Sequence, residues 1–525
     1  MIDNKIEKEN PIIWSDFPDL DVIRVEDTYY MVSTTMHFMP GAVILRSYDL
    51  LNWEILSYVC EEIEDTAKQR LENGQNIYGK GMWAATIRYH KNKFYVCFVA
   101  NDTGKTYLYQ STNILGPWKK SYIEGFYHDC SLLFDEDDRV YIVYGNREIH
   151  LTELNEDLSG PKVNGLNRII IVDKGNVRLG YEGAHIYKIN NKYYVFLIHW
   201  LNYGSERRVE ACYYSDSLEG EFIGKDILDD DMDYFNSGIA QGGIVDTPFG
   251  EWYAMLFQDH GAIGRIPVLV PLHWENDFLV LGINGKVPKL LTVTSTRPLH
   301  QYEPLVGDDD FSYEEDSNGK IELKKFWQWN HIPNSKLWGI QREPSSLVIE
   351  TGKLSVNVCQ AVNTLTQRMT GPICEGEITI EGSELKDGDF AGICALQGCY
   401  AFIALTKDDG KYYISMQGKE LDPSHGIWGE PGGDSSTAIE YARIAITSTQ
   451  IRLKLRANFI NNTDVVEFLY YENNEWKQLG VKHKLRFMLD HFTGCRIGLF
   501  NFSTKNIGGK AFFRDFRYHI LKAEI

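Results

Sequence analysis

No run of apolar residues in this chain approaches the roughly 20 needed to cross a bilayer as a helix, although hydrophobic residues make up 43% of it. The opening MIDNKIEKENP alternates in charge and lacks the apolar stretch of a secretory signal, which predicts a cytoplasmic protein. The nine cysteines are scattered with no CxxC pair. That argues against a disulfide framework and predicts a reducing compartment with unpaired, mostly buried thiols. Basic clusters are missing as well, and the net charge is −20, so neither nucleic acid nor an anionic membrane is expected as a partner. HExxH, P-loop, GxSxG and dinucleotide fingerprints are absent, leaving metalloprotease, NTPase, serine-hydrolase and Rossmann readings without support. Long helical periodicity is absent too. What remains is β structure.

A chain of 525 residues is too long for one compact core and predicts at least two domains. Within the first 280 residues, five aromatic-type pairs recur: Tyr29-Tyr30, Phe94-Tyr95, Val140-Tyr141, Tyr193-Tyr194 and Trp252-Tyr253, spaced 65, 46, 53 and 59 residues apart. Turn signals bound the surrounding β-branched and aromatic runs at Glu26-Asp27, Lys91-Asn92, Asp135–Asp138 and Asn190-Asn191. Repeats also close on similar phrases, Ser47-Tyr48-Asp49-Leu50-Leu51-Asn52-Trp53 in the first and SerThrAsnIleLeuGlyProTrp at 111–118 in the second. A period near 50 residues with about four strands per repeat is the imprint of a β-propeller. Counting back 10 or 11 residues from each pair reaches Asp19, Trp83, Asp129, Glu182 and Gln241, which should occupy equivalent places near the central axis. The domain assignment is residues 1–300 for the propeller, 301–310 for an acidic, turn-rich linker, and 311–525 for a β-sandwich or jelly roll. Its expected strands include Leu347–Ile349, Leu354–Val358, Gly376–Ile380, Tyr400–Leu405 and Arg443–Ile446. The fold class is all-β.

Three carboxylates, an aromatic ring and an amide around one pocket suit the cutting of a sugar. Glycosidic bonds break through an oxocarbenium-like transition state, with one carboxyl protonating the leaving oxygen and another, ionised, activating water or attacking. Glu182 is the candidate acid, a long arm whose pKa would be raised by burial and a neighbouring carboxylate. Asp19 is the candidate base, with Asp16 and Asp21 beside it as possible turn-capping residues. Asp129 would be the third carboxylate, able to raise the acid's pKa and to orient it, or else to cap a turn. Trp83 offers an aromatic floor, and Arg265 a hydroxyl donor if it points inward. Carboxylates on opposite sides of the axis would leave room for a water and favour inversion.

These motifs resemble glycoside hydrolase family 43, the β-xylosidase and α-L-arabinofuranosidase enzymes. The resemblance runs through PDLDVIRVEDTYYMVSTT with Met39-Pro40-Gly41, MWAATIRYHKNKFYV from Met82, HDCSLLFDED from His128 and YEGAHIYK from Tyr181. The second half is similar to the concanavalin-like sandwich of family β-xylosidases, on Phe326–His331, TLTQRMTGP from Thr364 and DGDFAGICALQ from Asp387. The resemblance implies a five-bladed propeller and inversion, with Asp19 as general base, Glu182 as general acid and Asp129 as pKa modulator. It implies that Arg265 contacts substrate and that the sandwich can lend a loop to close the pocket. Met36 stands where many members place a phenylalanine beside the sugar, with His37 and Phe38 following; Met36, Phe38, Trp83, Arg265 and Gln241 are the expected substrate-binding residues. Asp21 replaces a common serine. Gln241 replaces a histidine that many members use to organise water or calcium, so no cofactor is required and a structural calcium ion near the axis stays open.

The expected function is an inverting exo-glycosidase that removes terminal β-1,4-xylosyl or α-L-arabinofuranosyl units from short oligosaccharides. Alternatives are an arabinofuranosidase without xylosidase activity, a non-catalytic sugar-binding propeller, or a retaining fructan-type hydrolase, whose usual Asn-Asp-Pro and Arg-Asp-Pro motifs are missing. The partner is a small oligosaccharide, and a homo-oligomer is compatible with the sequence.

Overall fold

The computed structural model of the chain describes residues 4–522 apart from 176–178, 202–205, 276–277, 318, 421–423 and 425–434. Five four-stranded antiparallel sheets form the blades of a propeller. Their innermost strands are Asp21–Val25, Met82–His90, Ser131–Phe134, Glu182–Ile189 and Ile239–Asp246. Each recurring aromatic pair lies in the second strand of its blade, from Thr28–Ser33 in blade 1 to Trp252–Asp259 in blade 5.

Local chemistry explains the repeat. The hairpins at Lys91-Asn92 and Asn190-Asn191 have positive φ at both turn residues, the conformation that matches the twist of two-residue hairpins and that asparagine tolerates. The closing phrase of blade 1 is a hydrogen-bonded turn leading to the outer strand. Ser47 Oγ accepts from the Leu50 amide at 2.8 Å, and Asp49 Oδ1 accepts from Leu51 and Asn52 at 2.9 and 2.7 Å. Trp53 Nε1 then donates back to the Leu50 carbonyl at 2.8 Å.

The second half is a sandwich of two large sheets. Three of the five expected strands fall within observed ones and Tyr400–Leu405 overlaps the strand Ala401–Asp408 in all but its first residue, but Leu354–Val358 does not form one. Leu354 makes only an isolated bridge to Ser503, and Val358 opens a short 3-10 turn whose cap, Asn357, accepts from the Cys359 amide. A local side-chain bond there outcompetes the ladder that β-branched composition predicts. None of the nine cysteines is in a disulfide, and all are buried.

The two halves are not cleanly separated along the chain. Phe38–Met39, from blade 1, pairs with Gln328–Asn330 and becomes the edge strand of the sandwich sheet facing the propeller. The 301–310 segment is held down on both sides: Tyr302 Oη donates to Asp49 at 3.1 Å, and Asp309 exchanges backbone hydrogen bonds with Phe516. One hydrophobic cluster runs through both halves, with Phe17 and Phe257 of the propeller and Trp327, Trp329 and Phe516 of the second half. At about 1.5–3 kcal/mol for each large side chain buried, this continuity makes the seam part of the core.

Candidate active site

Asp21 ties the blades together at the axis. Completely buried, its Oδ2 accepts from Thr86 Oγ1 (2.8 Å), the Ile87 amide (2.8 Å) and Arg88 Nη1 (2.6 Å). Arg88 in turn donates to Ser131 Oγ at 2.7 Å and to the Leu132 carbonyl at 2.8 Å, reaching blade 3. Asp21 is therefore an inter-blade ion-pair partner and not a turn cap. Asp16 also links distant segments: its two oxygens accept from the Arg265 amide of blade 5 and the Gly494 amide of the sandwich, each at 2.8 Å.

Around the axis, Asp19, Asp129 and Gln241 all adopt left-handed backbone conformations, with φ of 53°, 47° and 62°. Such conformations cost non-glycine residues energy and concentrate where the surrounding structure imposes a particular side-chain direction. In blade 4 the left-handed residue is Gly183 (φ 64°), one place after Glu182, where a Cβ would come within 2.7 Å of the Gln241 side chain.

These turns bring the three carboxylates into one electrostatic neighbourhood. His128 Nε2 lies 3.4 Å from Glu182 Oε2 and 3.6 Å from Asp129 Oδ2, and Asn146 Nδ2 donates to the same Glu182 oxygen. Burial pushes the Asp129 carboxyl up to about 7; His128 opposes this, while the charges of Glu182 and Asp19 add to it. For His128, burial disfavours the imidazolium, but the Asp129 and Glu182 carboxylates outweigh it and raise the group to about 9. Asp19 is paired with Arg265, whose Nη1 donates to its Oδ1 at 2.8 Å, both side chains being buried.

Aromatic rings wall this cluster. Trp83 meets His128 edge-on at 5.5 Å and Phe492 at 5.8 Å. Phe492 comes from the sandwich, and its ring lies 4.5 Å from the Arg265 guanidinium. Its loop is fixed by the Gly494 bond to Asp16 and by the Cys495 amide bond to Ala262 at 2.8 Å. Gly494 is required there, since a Cβ would sit 2.1 Å from the Ile263 carbonyl oxygen.

Of the residues expected to bind substrate, Trp83 and Arg265 join this constellation directly. Gln241 stands behind Glu182 through its contact at Gly183, and its backbone N–H donates to the buried Glu210 carboxyl at 2.7 Å. Met36 is covered and bridges to Met82, the neighbour of Trp83. Phe38 is placed elsewhere. Its strand crosses into the sandwich, and its ring is covered by the Arg496 guanidinium at 3.6 Å, which leaves it in the domain seam. Four residues of the site went unassigned in the sequence: His128, Asn146, Arg208 and Phe492. Arg208, paired with Asp259, senses the charges of both Glu182 and Asp19. His128 adjoins Asp129, and strict strand alternation would turn it away; the left-handed Asp129 breaks that alternation. As a metal site the His128, Asp129 and Glu182 group fits calcium poorly, because one of its three donors is an imidazole and calcium takes six to eight oxygens.

Residues 8–279 match the model of glycosyl hydrolases family 43. The chain belongs to that family. Residues 316–519 match the beta xylosidase C-terminal concanavalin A-like domain, so both halves correspond to recognised units. The Beta-xylosidase of Formosa agariphila is similar, 25% identical over 556 residues that cover 95% of this chain and 88% of the relative. A non-reducing end alpha-L-arabinofuranosidase of Bacteroides ovatus is 26% identical over 64% of each chain. Among solved family 43 structures, a bifunctional GH43-CE protein of Bacteroides eggerthii superposes with a TM-score of 0.89 at 37% identity. It covers 99% of this chain, while this chain spans 64% of that longer one.

Proposed function

We propose that this family 43 hydrolase is an inverting exo-glycosidase that removes terminal β-1,4-xylosyl units, α-L-arabinofuranosyl units or both from short xylo-oligosaccharides. The observation that carries the reading is the three-carboxylate cluster walled by Trp83 and by Phe492 of the sandwich. A wall supplied by a second domain favours a pocket that admits a chain end over a cleft open at both sides. The names of the relatives, beta-xylosidase and alpha-L-arabinofuranosidase, support the two sugars.

In this mechanism Asp19 accepts a proton from water as the water oxygen bonds to the anomeric carbon. Glu182 gives its proton to the glycosidic oxygen as that bond breaks, releasing the shortened saccharide. Arg265 holds the Asp19 carboxylate in place through its 2.8 Å hydrogen bond. Asp129 and His128 set the field around Glu182.

A proton NMR time course with xylobiose tests the reading. Early appearance of α-xylose is the expected result. Early β-xylose would overturn inversion, and no product from xylobiose or from arabinofuranosyl oligosaccharides would overturn the enzymatic reading.

A further inference from the structure

Three arginines are almost wholly buried where the two halves meet: Arg265 of blade 5, and Arg368 and Arg496 of the sandwich sheet that faces the propeller. Arg265 is neutralised by Asp19 at 2.8 Å. A second buried carboxylate here, Asp16, is an electrostatic neighbour of all three arginines. Three guanidinium charges therefore face two carboxylates, and one positive charge is left over.

The surplus lies between Arg368 and Arg496, which are direct cross-strand partners. Residues so paired project to the same face of the sheet with Cβ atoms about 5 Å apart. Arg368 Nε donates to the Asp16 carbonyl at 2.8 Å and its guanidinium covers the Phe17 ring at 4.0 Å, but Nη1 and Nη2 have no acceptor among the described residues. Arg496 Nη1 donates to the neutral Gln328 amide oxygen at 2.9 Å and covers Phe38, while its Nε has no acceptor. Tyr58, the other polar neighbour of both, interacts with Arg368 through its hydroxyl oxygen, but it donates its proton to the Lys325 carbonyl at 2.6 Å and brings no negative charge. Stacking on phenylalanine returns less for a desolvated cation than burying an uncompensated ion costs. Burial lowers both arginines from their usual range, and for Arg496 the repulsion of Arg368 adds to the effect.

We propose that Arg368 and Arg496 form a binding site for a small monovalent anion of halide size, buried between the sandwich and the propeller. One charge matches the surplus, and three guanidinium nitrogens without an ordinary hydrogen-bond acceptor, Arg368 Nη1 and Nη2 and Arg496 Nε, supply its ligands. A doubly charged oxyanion would overshoot. Because Arg368 holds the Asp16 carbonyl, and the Asp16 carboxylate holds the Arg265 and Gly494 amides, the anion would stabilise the strut beneath Asp19 and Phe492.

The test uses the full chain, dialysed into sodium gluconate and melted while chloride or bromide replaces gluconate at constant ionic strength. The expected result is a saturable rise in Tm of about 2–4 °C, abolished in Arg496→Met. A crystal of the unaltered protein grown in bromide should show an anomalous peak within hydrogen-bond distance of Arg368 and Arg496, a readout that stands if the variant fails to fold. No peak, or a peak at molar bromide with a Tm indifferent to halide (an adventitious ion only), would overturn the proposal.

Discussion

Two histidines show how differently the pocket and the domain seam treat the same side chain. His128 stands between Asp129 and Glu182, and their charges raise it to about 9. His37, on blade 1 at the seam, is fully buried among Phe38, Tyr78, His331 and His491, and neither ring nitrogen has a hydrogen-bond partner among the described residues. Burial pushes it well below the usual histidine range, and the neighbouring histidines and Arg496 push it further. Burial opposes the charged form in both places. Only the pocket supplies carboxylates to outweigh it, so the pocket keeps charge that chemistry can use while the seam tolerates a neutral, packed ring.

The largest effect that would sharpen this contrast is chemical. Glu182→Ala should lower kcat on unactivated xylobiose by about 10²–10⁴-fold, the usual weight of a general acid, and near-normal turnover would remove Glu182 from the reaction. Next is the ring that links the two regions. Phe492→Ala should cost about 10–100-fold in kcat/KM, roughly 1.4–2.8 kcal/mol, with thermal stability little changed; an unchanged kcat/KM would mean that the sandwich does not complete the pocket.

The seam can be probed by acid. A histidine whose folded value lies below its unfolded value stabilises the protein above about pH 6.5, and that stability is lost as pH falls below it. At pH 5, 1.5 units lower, each such group costs about 2 kcal/mol. His37→Phe breaks no hydrogen bond of the ring and should therefore flatten the decline in stability between pH 7 and pH 5, as read by denaturant titration. An unchanged acid limb would mean that His37 is not one of its sources. His331, also fully buried and pushed well below its usual range by burial and His491, should retain its own share.

His128 reverses the sign. A histidine raised to about 9 contributes stability that is complete below about pH 6.5 and lost as pH rises through 9. His128→Phe should erase that alkaline component. It also removes the cation that opposes burial at Asp129, so the Asp129 carboxyl should titrate about one unit higher. Carboxyl NMR of labelled aspartate would read the shift, and no displacement would separate His128 from Asp129 electrostatically.

The repeat of aromatic pairs was enough to locate the blades, because every blade must bury the same second strand against its neighbours and the same turns must close its hairpins. It also led to Asp19, Asp129 and Glu182, since equivalent positions in a closed ring converge on one axis. The repeat could not reach Phe492, which belongs to another domain and another period. Nor could it place Phe38. The family resemblance sets that ring beside the sugar, but Phe38–Met39 leaves the blade to pair with Gln328–Asn330.

The periodic burial pattern and the residue types of the axis were thus written in the chain, because both are local consequences of strand length, turn chemistry and side-chain alternation. Which groups share a field was decided only by the tertiary structure. Coulomb interactions depend on distance through the folded protein, and His128 with Glu182, Asp19 with Arg265, and Arg368 with Arg496 meet only once strands far apart in the chain have come together.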